Sequence, residues 1–230
     1  MTVSVDLEPL VDAAARELED ASAEEILRWA CDTFGDAICV TSSMTDALLP
    51  HLASRVRPGI DVVFIDTGYH FAETIGTRDA VEAVYPVNLI NITPVRTVEE
   101  QDRDLGPRLF GRNPDICCHL RKVEPLNRAL EPYGAWISGL RREETEERRH
   151  AGVVEYDAKR DKVKVNPIAR WSQEDVDSYI EEHGVLVNPL VYDGYPSIGC
   201  GPCTRRVAPG EDPRSGRWAG TGKTECGIHL

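Results

Sequence analysis

Ala37-Ile38-Cys39-Val40, followed by Thr41-Ser42-Ser43-Met44-Thr45-Asp46 and then by the run Ala47 to Val56, is the stretch that decides the fold. A short apolar run closed by a polar turn reads as a buried strand, and here the turn delivers the chain into a helix. The unit recurs. Asp61-Val62-Val63-Phe64-Ile65 ends in Asp66-Thr67-Gly68 and leads into a helix around Ala72 to Val84. Val87-Asn88-Leu89-Ile90-Asn91 precedes helices near Val98 to Leu105 and Leu120 to Leu130, and Ala135-Trp136-Ile137-Ser138-Gly139 follows. Upstream, Leu7, Leu10, Val11, Ala14 and Leu18 recur at helical spacing, and Ser22 with Glu25 forms a capping box for a second helix through Leu27 and Trp29.

Short apolar strands alternating with helices predict an α/β fold, a single domain with a mostly parallel central sheet flanked by helices. Ligands of such sheets sit beyond the C-terminal strand ends, so the loops starting at Thr41, Asp66 and Gly139 are the first candidates to line a pocket. After a helix from Gln173 to His183, Pro and Gly crowd the chain from Pro189 to Gly222. The expected organisation is N-terminal helices over 1–34, an α/β core over 35–190 and an irregular C-terminal tail over 191–230.

The chain has 230 residues, 41% hydrophobic and 28% charged, with a net charge of -13. That is the composition of a globular protein, and its charge argues against a nucleic-acid partner. An anionic small substrate would need a local basic pocket. Cations do cluster: Arg141, Arg142, Arg148 and Arg149 in one segment, then Arg205, Arg206, Arg214, Arg217 and Lys223 in the tail. Glu143, Glu144, Glu146 and Glu147 equally let the first segment read as a solvated charged loop. No apolar run approaches the roughly 18 residues of a membrane helix, and the acidic N-terminus lacks the pattern of a signal peptide. A cytoplasmic protein without a membrane partner is expected, and the sequence is compatible with a homo-oligomer. Seven cysteines in a reducing compartment point to metal binding or catalysis more than to disulfides.

Those cysteines fall into a pattern. Cys117-Cys118 and Cys200-x-x-Cys203 offer four soft ligands, Cys226 stands alone in Glu-Cys-Gly-Ile-His, and Cys31 and Cys39 sit among apolar residues as inert core thiols. Four thiolates suit structural zinc or an iron-sulfur cluster. Spacing alone favours zinc, whereas adjacent cysteines are poor zinc ligands. Cys226, near Lys223 and His229, reads either as a free thiol on a frayed tail or as a nucleophile. The turn Thr41 to Asp46 could cradle an anion at a helix start or be an ordinary cap. Thr221-Gly222-Lys223-Thr224 mimics the end of a phosphate loop, but Arg217 stands where its first glycine is needed and only six residues follow. A P-loop is excluded.

Together these residues closely resemble the assimilatory adenylyl-sulfate (APS) reductases, the iron-sulfur branch of the APS/PAPS reductase family. The matching pieces are Cys117-Cys118-His-Leu-Arg-Lys122-Val-Glu-Pro-Leu, Asp66-Thr67-Gly68, Gly139-Leu-Arg-Arg, Cys200-Gly-Pro-Cys203-Thr-Arg, Arg214-x-x-Arg217-Trp218 and Glu225-Cys226-Gly-Ile-His229. The resemblance runs from about Ile38 to the C-terminus and implies a fold like that of adenine nucleotide alpha hydrolases, the ATP pyrophosphatases. It implies one 4Fe-4S cluster per chain on Cys117, Cys118, Cys200 and Cys203, with Cys226 as the catalytic nucleophile. It further implies that Ser42, Ser43, Thr45, Lys122, Arg149, Arg214, Arg217 and His229 bind the substrate, with Arg148 exchangeable for Arg149 by a one-residue slip. Ser43 and Met44 stand where many members carry glycine. The implied activity is thioredoxin-dependent reduction of APS to sulfite and AMP through a cysteine S-sulfonate, in sulfate assimilation and cysteine biosynthesis. Alternatives are reduction of the 3'-phosphorylated substrate PAPS, whose bacterial reductases lack both cysteine pairs, a zinc-stabilised nucleotide-binding module without turnover, and a sulfur-transferring ATP pyrophosphatase.

Overall fold

Ile38, Cys39 and Val40 are all buried, yet they do not share a core: Ile38 and Val40 pack into one apolar cluster and Cys39 into another. Val62 and Phe64 divide from Val63, and Ala135 and Ile137 from Trp136, in the same way. Alternate side chains of a strand point to opposite faces, so both faces of this sheet are covered.

The computed structural model describes residues 7–228. In chain order its elements are α1 (Leu7–Glu17), α2 (Ala23–Phe34), β1 (Ile38–Thr41), α3 (Leu48–Val56), β2 (Ile60–Ile65), α4 (Ala72–Val84), β3 (Val87–Ile92), α5 (Val98–Leu105), α6 (Leu109–Arg112), α7 (Pro114–Cys118), α8 (Glu124–Leu130), β4 (Ala135–Ile137), β5 (Val154–Asp157), β6 (Lys162–Val165) and α9 (Gln173–His183). The sheet order is β3-β2-β1-β4-β6-β5, with every pair parallel except β5 and β6. This is the single α/β domain with a mostly parallel sheet that the strand pattern predicts. The chain runs outward from β1 through β2 to β3, then returns to place β4 on the other side of β1. The strand order therefore reverses at β1, and the crevice beyond β1 and β4 is where such sheets bind ligands.

Two features depart from the sequence-based expectation. The hairpin of β5 and β6 went unread because its alternation is carried by Glu155, Lys162 and Lys164 between single valines and a tyrosine. The helix expected from Leu120 to Leu130 is divided: His119–Val123 is a π-turn, closed by the Glu124 N–H on the His119 carbonyl, and α8 starts after it. Pro125, with no N–H to give to the preceding turn, explains why regular α-helical bonding does not run through. Of the helices, α8 supplies Leu126, Ala129 and Leu130 to the second core beside Trp136.

Candidate active site

The turn after β1 is built from its own hydroxyls and from a distant asparagine. Thr41 Oγ1 donates to the Ile137 carbonyl at 3.1 Å, and the Met44 N–H donates to Ser42 Oγ at 3.3 Å. Ser43 Oγ and Thr45 Oγ1 lie 3.4 Å apart. Met44 is fully buried with φ 59°, the left-handed region that disfavours any side chain. Asn188, itself fully buried, donates from Nδ2 to the Met44 carbonyl at 3.1 Å, and its N–H reaches the Thr45 carbonyl at 3.1 Å. Asp46 caps α3 through the Leu48 N–H at 3.0 Å, and burial holds its carboxyl above the usual range.

The two cysteine pairs come from elements 80 residues apart in the sequence and line one cavity with Tyr69, Lys122 and Arg217. Cys117 and Cys118 end α7, a single turn whose N-cap Asn113 accepts the Ile116 N–H at 3.1 Å. The π-turn follows directly and carries Lys122 onto the same cavity. The second pair is tied to the exit of β2: Thr67 Oγ1 is 3.3 Å from Cys200 Sγ, and the Gly201 N–H donates to the Tyr69 carbonyl at 2.7 Å. Arg121 binds the Thr67 carbonyl from the other side and stacks 5.3 Å from the Tyr69 ring. The sheet edge thus reaches the cysteines through Asp66–Gly68.

Burial, reinforced by the other three thiols, pushes Cys117 up to about 12, and burial with Cys200 and Cys118 pushes Cys203 up to about 11. Burial would lower Lys122, but Cys200, Cys226 and Cys118 outweigh it and raise the amine. Arg217 is pulled down by burial and by Arg214. At Gly199 an added Cβ would lie 2.3 Å from Arg217 Nη2, so a side chain there would displace the guanidinium. Among the described residues, no three His, Cys, Asp or Glu side chains close on a position that one metal ion could occupy. The cavity offers four thiols around a shared space, each in want of a positive centre if it is to ionise.

The tail returns over this cavity. The Trp218 N–H donates to the Cys203 carbonyl at 2.9 Å, and the Arg217 guanidinium lies 4.5 Å from the Trp218 ring. Arg217 also donates to Ser197 Oγ at 3.2 Å and to the Ile198 carbonyl at 3.3 Å. Lys223 pairs with Asp115 of α7. Beyond Cys226, Ile228 packs against the second core.

Of the residues implied by the resemblance, the structure brings Cys117, Cys118, Cys200, Cys203, Lys122 and Arg217 onto one cavity, with Cys226 within electrostatic reach of Lys122 and Arg217. Arg214 reaches the neighbouring Glu225 at 3.4 Å and the Thr224 carbonyl at 3.1 Å. Ser42, Ser43 and Thr45 sit at the switch-point crevice. Arg149 is not gathered in: its side chain is 64% exposed and pairs with Glu146, whereas Arg148 is buried against Glu225. The expectation of a solvated loop holds for Arg149 and not for Arg148. His229 lies outside the described residues. Cys31 and Cys39 are buried core thiols, and burial pushes Cys39 far up. Sequence reasoning passed over Tyr69, Arg121 and Asn188. Arg121 stood beside a singled-out lysine, but nothing in the sequence marked it as the residue that turns inward.

The sequence profile of the phosphoadenosine phosphosulfate reductase domain matches residues 37–206. The chain is 65% identical over 224 residues to adenosine 5'-phosphosulfate reductase of Streptomyces coelicolor, covering 97% of this chain and 95% of that protein. It is 59% identical over 225 residues to the protein of the same name from Mycolicibacterium smegmatis, covering 98% and 95%. Among solved structures it superposes with TM-score 0.75 on phosphoadenylyl-sulfate reductase of Candida auris in complex with phosphate, at 29% identity over 89% of this chain and 100% of that one. An FMN adenylyltransferase of Candida glabrata shares the fold alone, with TM-score 0.59 and 13% identity over 89% of this chain and 68% of that one. The chain thus belongs to the phosphoadenosine phosphosulfate reductase family.

Proposed function

We propose that this protein reduces APS to sulfite and AMP, with Cys226 as nucleophile and a thioredoxin dithiol as the source of two electrons. The observation that supports the reading is a four-cysteine cavity lined also by Lys122 and Arg217, both within electrostatic reach of Cys226. Relatives that align over nearly their full length are named adenosine 5'-phosphosulfate reductase, which favours APS over PAPS.

The Cys226 thiolate attacks the sulfate sulfur of APS, an S–S bond forms as the sulfur-oxygen bond to AMP breaks, and AMP leaves with that electron pair. A thioredoxin thiolate then attacks Cys226 Sγ and expels sulfite, and the second thioredoxin thiol resolves the mixed disulfide and returns Cys226 reduced. Attack of one anion on another needs preorganised cations, and Lys122 and Arg217, within electrostatic reach of Cys226, with Arg214, which pairs with Glu225, would supply them. Ser42, Ser43 and Thr45 hold the nucleotide at the crevice beyond β1, in a core spanning 35–190. Arg148 supports the site in place of Arg149.

Cys117, Cys118, Cys200 and Cys203 would hold a 4Fe-4S cluster. The donor set is four soft thiols lining one cavity, two of them adjacent in sequence, which suits a polynuclear centre better than zinc. Bound there, the cluster supplies positive charge that keeps its thiolates ionised and fixes the electrostatics beside Lys122.

Intact-mass analysis after mixing the protein with APS and no reductant tests the reading. An added SO3 on the parent protein and none on Cys226→Ser is expected, with sulfite production falling at least about 10³-fold in that variant. Unimpaired sulfite production by Cys226→Ser would sink it.

A further inference from the structure

Glu225, the residue before the proposed nucleophile, is 5% exposed, and Arg148, which faces it, is 9% exposed. The pair is bidentate. Arg148 Nε donates to Glu225 Oε1 at 2.7 Å and Nη2 donates to Oε2 at 2.8 Å. Thr145 Oγ1 adds a third donor at 3.4 Å on Oε1, and Arg214 Nη2 approaches Oε2 at 3.4 Å. Arg148 is itself held from behind by Glu144, four residues earlier. The turns that carry these residues, Arg142–Glu144 and Glu146–Arg148, lie on the exit from β4, at the C-terminal edge of the sheet.

Such a fork restricts far more than a single surface contact does. Two parallel bonds between planar groups fix orientation as well as distance, and removing one partner leaves a buried charge unmatched. Other contacts also hold the tail near Cys226: Thr224 Oγ1 to Glu147 Oε1 at 3.2 Å, Arg214 to the Thr224 carbonyl, Lys223 to Asp115, and Ile228 against the second core. Glu225 is the buried charged anchor among them, one peptide unit from the sulfur that reacts. Its anchor point lies in the loop that leaves β4, at the C-terminal edge of the sheet, so it ties the tail cysteine to the side of the sheet where the nucleotide is proposed to bind.

We infer that Glu225 is a positioning residue, whose two-bond pair with Arg148 sets the backbone on which Cys226 meets the substrate sulfur. The inference rests on the reading of Cys226 as nucleophile and adds to it a residue that never touches the reacting atoms. Displacing a reacting atom by about 1 Å costs on the order of 10²-fold in rate, so loss of the fork should appear in the chemical step.

The test is single-turnover formation of the sulfonated protein from APS, on the full-length cluster-loaded chain, for Glu225→Gln, Arg148→Lys, the double variant and Cys226→Ser. Glu225→Gln should slow sulfonation by about 10- to 100-fold while shifting the KM for APS by less than about threefold. The double variant should be no slower than the slower single, because both remove the same fork. Glu225→Asp, which keeps the charge on a shorter arm, should recover part of the lost rate. Sulfonation by Glu225→Gln at the parental rate, losses that multiply in the double variant, or Glu225→Asp as slow as Glu225→Gln would each overturn the inference. If Cys226→Ser still makes sulfite, the nucleophile reading itself fails. If Cys226→Ser is dead while Glu225→Gln matches the parent, only the positioning role falls.

Discussion

The crevice at the end of β1 and the cavity under the tail are assembled by opposite means. The crevice is the by-product of a sheet: Val40, Val62 and Ile137 are buried to 0%, the strands are parallel and in register, and Thr41 has nowhere to go but the edge. The cavity sets Tyr69, Phe110, Pro114 and Trp218 beside its cysteines, and its polar ties come from side chains rather than from a strand ladder. It is closed by thiols, by Arg121 on the Thr67 carbonyl, by Arg217 on Ser197 and by Lys223 on Asp115. A nucleotide site built on the first principle exists whether or not a ligand is bound, whereas a site built on the second depends on what neutralises its sulfurs. The difference teaches where this protein is conditional.

Removing the proposed cluster should break the comparison most visibly. Stripping iron anaerobically from the loaded protein should cost the cysteine half stabilisation on the order of 10 kcal/mol, since metal binding free energy there is folding free energy. Hydrogen exchange should then accelerate over 114–123 and 198–218 while the amides of β1, β2 and β4 stay slow. Uniform acceleration, or none, would show that the two regions are not built differently. The converse lesion is Trp136→Ala. Trp136 is fully buried, bonds Asp157 from Nε1 at 3.2 Å and lies under Arg160 and Lys164. Its loss should lower global stability by about 3–5 kcal/mol, read as an earlier denaturation midpoint, with iron per folded chain unchanged. Loss of iron in step with stability would mean that the sheet and the cavity fold as one unit.

The same division decides what could be read from the sequence. Strands β1 to β4 and helices α4, α5 and α9 were legible because period and polarity change sharply at their ends, as at Val40 to Thr41 and Ile65 to Asp66. The cysteine set was legible because its spacing is rare. The β5–β6 hairpin was not: four-residue strands alternating valine with charge resemble any polar segment. The choice between Arg148 and Arg149 was beyond reach, because both residues have the same chemistry and only the turn at Glu146–Arg148 determines which one faces Glu225. Asn188 escaped for the same reason, since its partners Met44 and Thr74 lie 144 and 114 residues away.

Met44→Gly sharpens the crevice side, and two magnitudes oppose each other there. Glycine relieves a left-handed φ of 59°, worth about 1–2 kcal/mol. It also deletes a fully buried side chain, and truncation of a buried Met costs about 2–5 kcal/mol. Burial wins, and a net loss of about 1–3 kcal/mol is expected in the denaturation midpoint. A gain in stability would mean that the Met44 side chain contributes less than its burial suggests and that backbone strain governs this turn.

Thr67→Val is the smallest lesion and the one that crosses the boundary. Thr67 follows β2, accepts the Tyr69 N–H at 3.3 Å, and its Oγ1 lies 3.3 Å from Cys200 Sγ. With Cys200 ionised on a metal centre, only the hydroxyl can donate in that contact, so valine of nearly the same shape removes one hydrogen bond to sulfur and leaves the Tyr69 amide unpaired. A neutral hydrogen bond contributes about 1 kcal/mol, and one to a charged acceptor about 1.5–3 kcal/mol. If the sheet edge communicates with the cluster through this residue, the variant should bind APS with parental affinity, lose about 1–3 kcal/mol more stability with iron present than without it, and show a shifted visible spectrum. Equal losses with and without iron would mean that Thr67 merely caps its own loop, and that the link between the two regions lies instead in Arg121, which binds the same residue's carbonyl.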